Sequence, residues 1–243
     1  QGGQARSRRG LDQVCGAEDR VTPSELHDAF RSAVDDLETP YLWTDSDIYR
    51  YMTAAQEQFC RLTDGISDNS SVATVVQVTT GELTAPLHRS VKKVRAATLV
   101  STGRGIDLLN YEDLTTRRTS DYGSSLVFSL PARPGPVTAM VLGMEENTVR
   151  WLNTPIEDDE VSLLIYRLPL ADVTEESQAL EIDSRHHEYL IDWMRHRAHL
   201  KQDAETFDKG RSDAAKAYFV DYCEQVRREQ ALARHKPRLM AYG

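Results

Sequence analysis

The sequence has few cysteines and no long run of apolar residues. Its three cysteines, Cys15, Cys60 and Cys223, are an odd, widely spaced set without a CxxC pair or a Cys/His zinc spacing. They predict free thiols in a reducing compartment rather than a disulfide framework or a zinc site. A membrane-crossing helix requires roughly 20 consecutive apolar residues. No stretch approaches that length, so the sequence predicts no membrane-spanning helix and no membrane partner.

Positive charge is in deficit. The chain contains 29 Lys and Arg against 38 Asp and Glu, which gives a formal net charge of −9. This balance argues against a protein that holds nucleic acid by neutralising its phosphates. It is compatible with a surface past which DNA moves without binding.

The motifs of common enzyme families are missing as well. The sequence contains no Walker phosphate loop, no GxSxG and no HExxH. Gly103-Arg104-Gly105 lacks the third glycine of a dinucleotide fingerprint and is predicted to be a turn. These absences predict a non-enzymatic protein without a cofactor.

Two helices are predicted in residues 22 to 64. Thr22-Pro23-Ser24-Glu25 supplies an N-cap, a Pro at the first helical position and a Glu three residues after the cap. This helix is expected to reach about Asp36 and to end before Thr39-Pro40. Thr44 is predicted to cap a second helix that stops at Gly65. Its apolar stripe recurs at steps of three and four residues: Ile48, Met52, Ala55, Phe59 and Leu62.

The pattern changes between residues 71 and 170. Short β-branched segments, separated by Gly, Pro, Asn and Asp, predict an antiparallel sheet, a sandwich or a small barrel. The predicted strands cover residues 72–79, 91–100, 106–109, 126–130, 137–142, 148–152 and 161–167.

Two long helices are predicted after Pro169, because the next proline is Pro237 and Gly210 is the only glycine between them. Asp183 or Ser184 is expected to cap the first helix. The predicted apolar face of the first helix contains His187, Leu190, Ile191, Met194 and Ala198. That of the second contains Ala215, Tyr218, Phe219, Tyr222 and Val226. We expect the two to form a hairpin that packs against the N-terminal pair as a small bundle.

These elements predict an α+β fold, in which N- and C-terminal helices form a bundle that carries an inserted antiparallel β-rich domain, with extended termini. The predicted boundaries are an N-terminal arm at 1–21, a bundle at 22–70 and 171–235, the β-rich domain at 71–170 and a C-terminal tail at 236–243. Three arginines precede the first acid of the arm, and a segment of this composition is expected to become ordered by docking on a partner such as another subunit. They are Arg6, Arg8 and Arg9.

Four of the seven histidines lie close together in the sequence: His186, His187, His196 and His199. On a helix, Asp192, His196 and His199 would share one face, which is a candidate divalent-metal patch of a metal-dependent hydrolase. Three neighbouring arginines would repel a cation. The favoured interpretation is therefore a solvated face or a subunit interface.

Two further charged segments have simple interpretations. Glu157-Asp158-Asp159-Glu160 lacks the EF-hand spacing and is predicted to be a solvated loop between strands. The segment from His88 to Arg95 is the one basic strand, and it is expected to present a charged strand face.

A series of motifs covers most of the chain from Tyr41 onward. A helix opens with Tyr41-Leu42-Trp43-Thr44-Asp45 and runs through Ala54-Ala55-Gln56-Glu57, and Gln77-Val78-Thr79-Thr80-Gly81-Glu82 follows. The strand from Val91 to Thr98 comes next. Leu180-Glu181-Ile182-Asp183 then leads into His186-His187-Glu188-Tyr189-Leu190 and a helix with Asp203-Ala204-Glu205. In this order and spacing the motifs resemble the head-to-tail adaptor (connector or head completion) proteins of tailed bacteriophages.

The resemblance implies a structural protein of the virion. It implies a ring, typically of twelve copies, between the portal protein and a tail or nozzle protein, at the head-tail junction, after assembly in the host cytoplasm. Double-stranded DNA would cross its channel during packaging, retention and ejection, without sequence recognition.

The resemblance also implies roles for the termini. An extended C-terminus would bind the portal or another partner, and the candidate residues are Arg234, Lys236, Pro237, Arg238, Leu239, Met240 and Tyr242. Arg6, Arg8 and Arg9 would belong to an inter-subunit arm. Two alternatives stay open from the sequence: a cytosolic helical scaffold or regulatory protein that binds a helix or peptide, and the metal-dependent hydrolase.

Overall fold

The computed structural model describes residues 21–112, 133–202 and 206–234. Within them lie four helices and a curled β-sheet, which confirms the predicted α+β class. The helices are α1 (Pro23–Ala33), α2 (Asp45–Leu62), α3 (His187–Ala198) and α4 (Lys209–Arg234). None of the helices in the described part of the chain combines the length and apolar character that a bilayer-crossing segment needs.

Helix α1 starts as its sequence predicts. The Thr22 hydroxyl accepts a hydrogen bond from the Glu25 N–H, and the Glu25 carboxylate accepts one from the Thr22 N–H at 2.7 Å. This capping box satisfies two N–H groups that the helix itself leaves without partners.

The end of α1 comes earlier than the predicted Asp36. The helix stops at Ala33, and Asp35 has a left-handed backbone with φ of 59°. Asp36 is buried, pairs with Arg31 at 2.7 Å, and accepts the N–H of Leu42 at 2.9 Å. Asp36 is thus held by Arg31 and by the backbone of Leu42 in a non-helical position, so the chain turns away after Ala33.

Helix α2 has the N-cap and the apolar stripe that its sequence predicts. Thr44 caps it, accepting the Asp47 N–H at 3.2 Å. Four members of the predicted stripe, Ile48, Met52, Ala55 and Phe59, are buried, and Leu62 is partly buried against the same core.

Helices α3 and α4 pack against each other and run in opposite directions. His196, near the end of α3, contacts Ser212 near the start of α4, and His186, just before α3, contacts Tyr222 farther along α4. Asp183 caps the short 3₁₀ turn that leads into α3. α3 also packs on α1 and α2.

The apolar face of α4 differs from its prediction at one position. Tyr218 is 71% exposed, so its assignment to the buried face was wrong. The buried stripe runs at steps of three and four residues: Ser212, Ala215, Phe219, Cys223 and Val226. Tyr218 precedes Phe219 by one residue, which rotates its side chain about 100° away from this narrow stripe.

Ten strands make up the β structure of the described residues. They are β1 (Ile66–Asp68), β2 (Val75–Val78), β3 (Thr84–Pro86), β4 (Val91–Leu99), β5 (Gly105–Asn110), β6 (Pro134–Gly135), β7 (Ala139–Leu142), β8 (Thr148–Trp151), β9 (Thr154–Pro155) and β10 (Asp159–Arg167). The main sheet has the order β1-β10-β4-β5-β7-β8-β3, and β2 also pairs with β10. β6 and β9 pair separately. The strand predicted at 126–130 lies outside the described residues.

The predicted antiparallel order is wrong for two pairs. β5 and β7 are parallel, with Asp107 opposite Ala139 and Asn110 opposite Leu142, and β6 and β9 are also parallel. Every other pair in the described sheet is antiparallel. A parallel pair needs a connection of a dozen or more residues, and the chain between β5 and β7 is long enough to supply it.

The first predicted strand, 72–79, is also shorter than expected. Residues Val72–Thr74 form a 3₁₀ turn, because the Ser71 side chain accepts the Ala73 N–H and caps it. Only Val75–Val78 pairs as a strand, and the preceding β1 was not predicted. β1 has three residues, too few for an alternating pattern to appear in the sequence.

Two separate apolar cores form. One lies among the helices around Phe30, Ile48 and Leu190, and it also takes in Val173 and Ile182 from the segment after β10. The other fills the curl of the sheet around Trp151, Met140 and Leu163. The chain passes from the helical core to the sheet after α2 and returns to the helical core after β10. The two connecting segments lie side by side, because β1 pairs with the end of β10.

Candidate interaction surfaces

The clustered histidines are interior residues, and the expectation of a solvated face was wrong. All four, His186, His187, His196 and His199, are buried. His196 Nδ1 lies 2.8 Å from Ser212 Oγ, and His186 Nδ1 lies 2.8 Å from the Tyr222 hydroxyl. His187 lies between the carbonyl oxygens of Val21 and Ile182, at 3.1 and 3.0 Å. Burial lowers the pKa of His186, His196 and His199.

The candidate metal patch is not assembled. Asp192 faces Arg195 at 3.4 Å, His196 faces Ser212, and His199 meets the Trp43 ring edge-on at 6.1 Å between ring centres. No group of three or more His, Cys, Asp or Glu side chains in residues 21–112, 133–202 and 206–234 is placed to hold a metal ion. These histidines instead tie α3 to its neighbours.

Lys92 joins the sheet to the helices. It lies on β4, and its Nζ donates hydrogen bonds to the carbonyl oxygens of Cys60 at 3.0 Å, Arg61 at 2.9 Å and Thr63. Carbonyls at a helix C-terminus have no partner within the helix and carry partial negative charge. Burial lowers the pKa of Lys92, and the nearby Asp64 carboxylate opposes this shift. The predicted basic strand therefore serves, at this residue, to cap α2.

The end of α4 is held at the same place. The Gln230 side-chain oxygen accepts the Asp64 N–H at 3.1 Å, and Arg234 forms an ion pair with Asp64 at 2.9 Å. Arg234 is the one predicted C-terminal binding residue that the structure describes. Lys236, Pro237, Arg238, Leu239, Met240 and Tyr242 lie outside the described residues, as do Arg6, Arg8 and Arg9. Arg234, the last described residue of α4, thus lies at the helix–sheet junction, which we define by Thr63, Asp64, Lys92, Gln230 and Arg234.

A buried ionic group lies beside this junction. Arg167 on β10 pairs with Asp68 on β1 and with Glu181. Burial opposes ionisation of Asp68, but hydrogen bonds from Ser71, Ser70 and Arg167 outweigh it and hold the pKa of Asp68 well below its usual range. Glu181 also accepts the N–H of Leu170 at 2.7 Å, which fixes the chain as it leaves the sheet.

A cluster of exposed apolar side chains lies at the opposite end of the helices, and no periodic pattern in the sequence indicates it. The helical tip, as we name it, consists of Leu37, Tyr41, Leu42, Leu200 and Phe207, each between 37% and 62% exposed. Its members come from the α1–α2 and α3–α4 connections. Lys201 Nζ donates to the Leu42 carbonyl at 3.4 Å, and the Trp43 indole N–H donates to the Ala198 carbonyl at 3.3 Å, so the two connections are in contact.

An acidic groove of about 450 Å³ adjoins the tip. It lies between the first half of α2 and residues 172–175, with Tyr49 in its wall and exposed carboxylates at Asp45, Asp172 and Glu175. Burial raises the pKa of Tyr49, and the charges of Glu175, Asp45 and Asp28 raise it further. Arg50 is the cation in its lining, and it pairs with Asp47 at 2.6 Å. Asp45 is paired with Arg31 at 2.5 Å and with His27 at 3.0 Å, so Asp172 and Glu175 are the carboxylates of the groove without an ion pair among the described residues.

Comparison with known proteins gives one result. The model of a family described as SU10 adaptor protein matches residues 21–239, which is most of the chain. No curated protein matches it.

Proposed function

The chain belongs to the SU10 adaptor protein family, and from this premise we propose that it forms the ring that joins the portal to the tail of a phage. A phage adaptor is a structural, non-enzymatic component of the virion. The family match over residues 21–239 is the observation that carries the proposal. The expected ring holds twelve copies, with the portal protein on one side and a tail or nozzle protein on the other.

The proposed subunit has a bundle at residues 22–70 and 171–235, from which residues 71–170 are inserted as a β-rich domain. The two separate apolar cores support this division. The junction supports it too, because Lys92 and Arg234 tie both parts to the segment that follows α2. Such ties would keep the two parts in one orientation within a ring.

The termini supply the proposed contacts between proteins. Residues 236–243 follow α4 in the sequence, and the last described residue of α4, Arg234, is held at the junction. They combine two cations, Lys236 and Arg238, with the apolar groups of Leu239, Met240 and Tyr242. Apolar and aromatic side chains of this kind dominate binding energy when they fill a partner's pocket. We assign this tail to the portal protein or a neighbouring subunit, and the arm with Arg6, Arg8 and Arg9 to a neighbouring subunit.

The proposed channel passes double-stranded DNA without binding it. A net charge of −9 favours repulsion of phosphates over their capture. The head-tail junction of the virion is the proposed location, reached after assembly in the host cytoplasm.

The native mass of the purified chain, alone and mixed with the portal protein, tests the proposal. We expect either a ring-sized assembly or a 27.5 kDa monomer that becomes a stoichiometric ring on the portal. The portal of an unrelated phage is the control. A chain that stays monomeric and ignores its portal would contradict the adaptor function and favour the cytosolic scaffold.

A further inference from the structure

Strand β4 exposes two cations that have no acidic partner. Lys93 and Arg95 are exposed, and neither forms an ion pair with a residue in the described parts of the chain. Tyr166 of β10 lies opposite Lys93, and the Arg95 guanidinium lies over the Tyr166 ring, 4.9 Å from its centre. We call Lys93 and Arg95 the basic face.

Two β-bulges shape this strand. Arg95 is the extra residue of one bulge, because its neighbours Val94 and Ala96 pair with consecutive residues of β10, and Lys92 is the extra residue of the other. Val94 and Ala97 are both buried although they are three residues apart, which the alternating sides of a regular strand would not allow. Bulges re-aim side chains, often beside functional sites, so the exposure of these cations is built into the strand.

The charges next to the basic face do not neutralise it. Asp107 on β5 is exposed one residue beyond the pairing with β4, and it forms no ion pair with a described residue. Arg89, exposed just before β4, also has no ion pair in the described chain. At the end of α2, Glu57 pairs with Arg61 at 3.7 Å, and Asp64 belongs to the junction. The basic face and Arg89 thus supply three such cations against one carboxylate.

The segment that crosses α2 after β10 has the opposite charge. Asp172, Glu175 and Glu176 are exposed, and none of their carboxylates has an ion pair or a hydrogen bond within the described residues. The Val173 N–H donates to Thr53 Oγ1 at 2.9 Å, which fixes the segment on α2. We call the three carboxylates the acidic segment. The other charged groups of the acidic groove are paired: Asp45 with Arg31 and His27, and Asp47 with Arg50 and Lys201.

A second acidic stretch, residues 157–160, fits the basic face less well. Asp158 accepts a hydrogen bond from the Thr80 hydroxyl at 2.7 Å, and Asp159 accepts one from the Ser101 hydroxyl at 2.5 Å. This stretch also leads into β10, the strand that pairs with β4, so it belongs to the same sheet as the basic face. A contact that closes a ring joins two different surfaces, and the acidic segment lies on the helices.

We propose that the basic face of one copy binds the acidic segment of the next copy in the ring. This inference rests on the proposed ring function. Each copy has a net charge of −9, and like charges placed opposite each other oppose association. The proposed contact places unlike charges opposite each other, and every copy uses each surface once. Stacking on Tyr166 also holds the Arg95 guanidinium in a fixed orientation for a carboxylate.

Charge reversal on each surface tests the proposal. The face variant carries Lys93→Glu and Arg95→Glu, and the segment variant carries Asp172→Lys and Glu175→Lys. All four side chains are exposed, so both variants should fold, which thermal unfolding checks. Alone, each variant should require at least about tenfold more protein to form the ring on the portal protein, measured by native mass.

An equimolar mixture of the two variants should assemble like wild type. In a ring where they alternate, each contact again joins unlike charges, and a ring of twelve copies allows this alternation. One chain with all four substitutions should assemble like wild type too, which a variant that merely misfolds would not do. The matched control, Lys216→Glu with Arg227→Glu, reverses two exposed cations of α4 and should leave assembly unchanged.

Three results would overturn the inference. If the wild type forms its ring and either variant assembles equally well, or if neither the mixture nor the four-substitution chain recovers, the pairing is wrong and the adaptor function stands. A face variant that assembles normally but loses affinity for short duplex DNA would assign the basic face to DNA. A wild-type chain that never assembles would contradict both this contact and the adaptor function.

Discussion

A buried charged residue in this protein stabilises the fold when residues from other segments of the chain form hydrogen bonds or ion pairs with it. Asp68 accepts hydrogen bonds from the N–H groups of Ser70 and Ser71, at 3.0 and 3.2 Å, and pairs with Arg167. Its carboxylate is thus the meeting point of β1, the turn after it and β10. Removing one partner from a buried ion pair leaves the other charge uncompensated, which costs more than the pair itself contributes.

We expect Asp68→Asn to lower the free energy of unfolding by about 3 kcal/mol at neutral pH, measured by urea denaturation. The difference in the free energy of unfolding between wild type and Asp68→Asn should shrink as the pH is lowered. The folded pKa of Asp68 is depressed, so its contribution is complete above the unfolded value of about 3.9 and is lost as the pH falls below it.

Glu82→Gln is the control for this prediction. Glu82 is exposed, and its substitution should change stability by less than about 0.5 kcal/mol at any pH. A difference between Asp68→Asn and wild type that stays constant from pH 7 to pH 3 would show that the ionised carboxylate is not the source.

At the scale of elements, the turn from α2 into β1 governs how the helices meet the sheet. Gly65 lies in this turn with φ of +86°, a backbone conformation that side-chain-bearing residues adopt with strain. A Cβ atom there would lie 2.6 Å from the Arg167 carbonyl oxygen on β10. The glycine is therefore required both for the backbone turn and for close approach of two chain segments.

Gly65→Ala should destabilise the protein by about 2–4 kcal/mol, because the strained backbone and the steric conflict add. Thermal unfolding measures the effect. Gly81→Ala is the matched control, since Gly81 has φ of +83° but nothing within 4 Å of an added Cβ. It should cost only about 1 kcal/mol. Equal losses in the two variants would rule out the contact with Arg167 as a cause.

At the scale of the whole molecule, the two ends of the helices differ in character. The junction end is polar: Lys92 ties the sheet to the end of α2, and Arg234 ties the end of α4 to Asp64. The tip end exposes a group of apolar side chains. In the proposed ring, such unlike ends would allow different partners to be bound without competition.

Deleting residues 236–243 should leave the melting temperature within about 2 °C of wild type, because the described core and the Arg234–Asp64 pair remain. Binding to the portal protein should fall by at least about a hundredfold, which sedimentation or native mass measures. The substitutions Leu239→Ala, Met240→Ala and Tyr242→Ala together should reproduce most of this loss. Lys236→Ala with Arg238→Ala should weaken binding less, and the opposite ranking would contradict an apolar attachment.

The sequence by itself determined the local elements. The capping box of Thr22 and Glu25, the Thr44 cap and the stripe from Ile48 to Phe59 depend on residues three or four positions apart. Spacing of this kind reports backbone periodicity directly, whatever surrounds the helix. The α+β class follows from the same local patterns, whereas the order of the strands in the sheet does not. The family resemblance also came from motif order alone.

Only the tertiary structure decided which elements meet. Lys92 caps α2 from a strand about 30 residues away, β5 pairs in parallel with β7, and Leu42 and Leu200 share the helical tip. The histidines near α3 are interior for the same reason: their partners Val21, Ser212 and Tyr222 come from other elements. Periodicity assigns a residue to one face of its helix or strand, but it does not identify the residues that this face contacts. Burial and strand pairing are set by contacts between segments that are distant in the sequence.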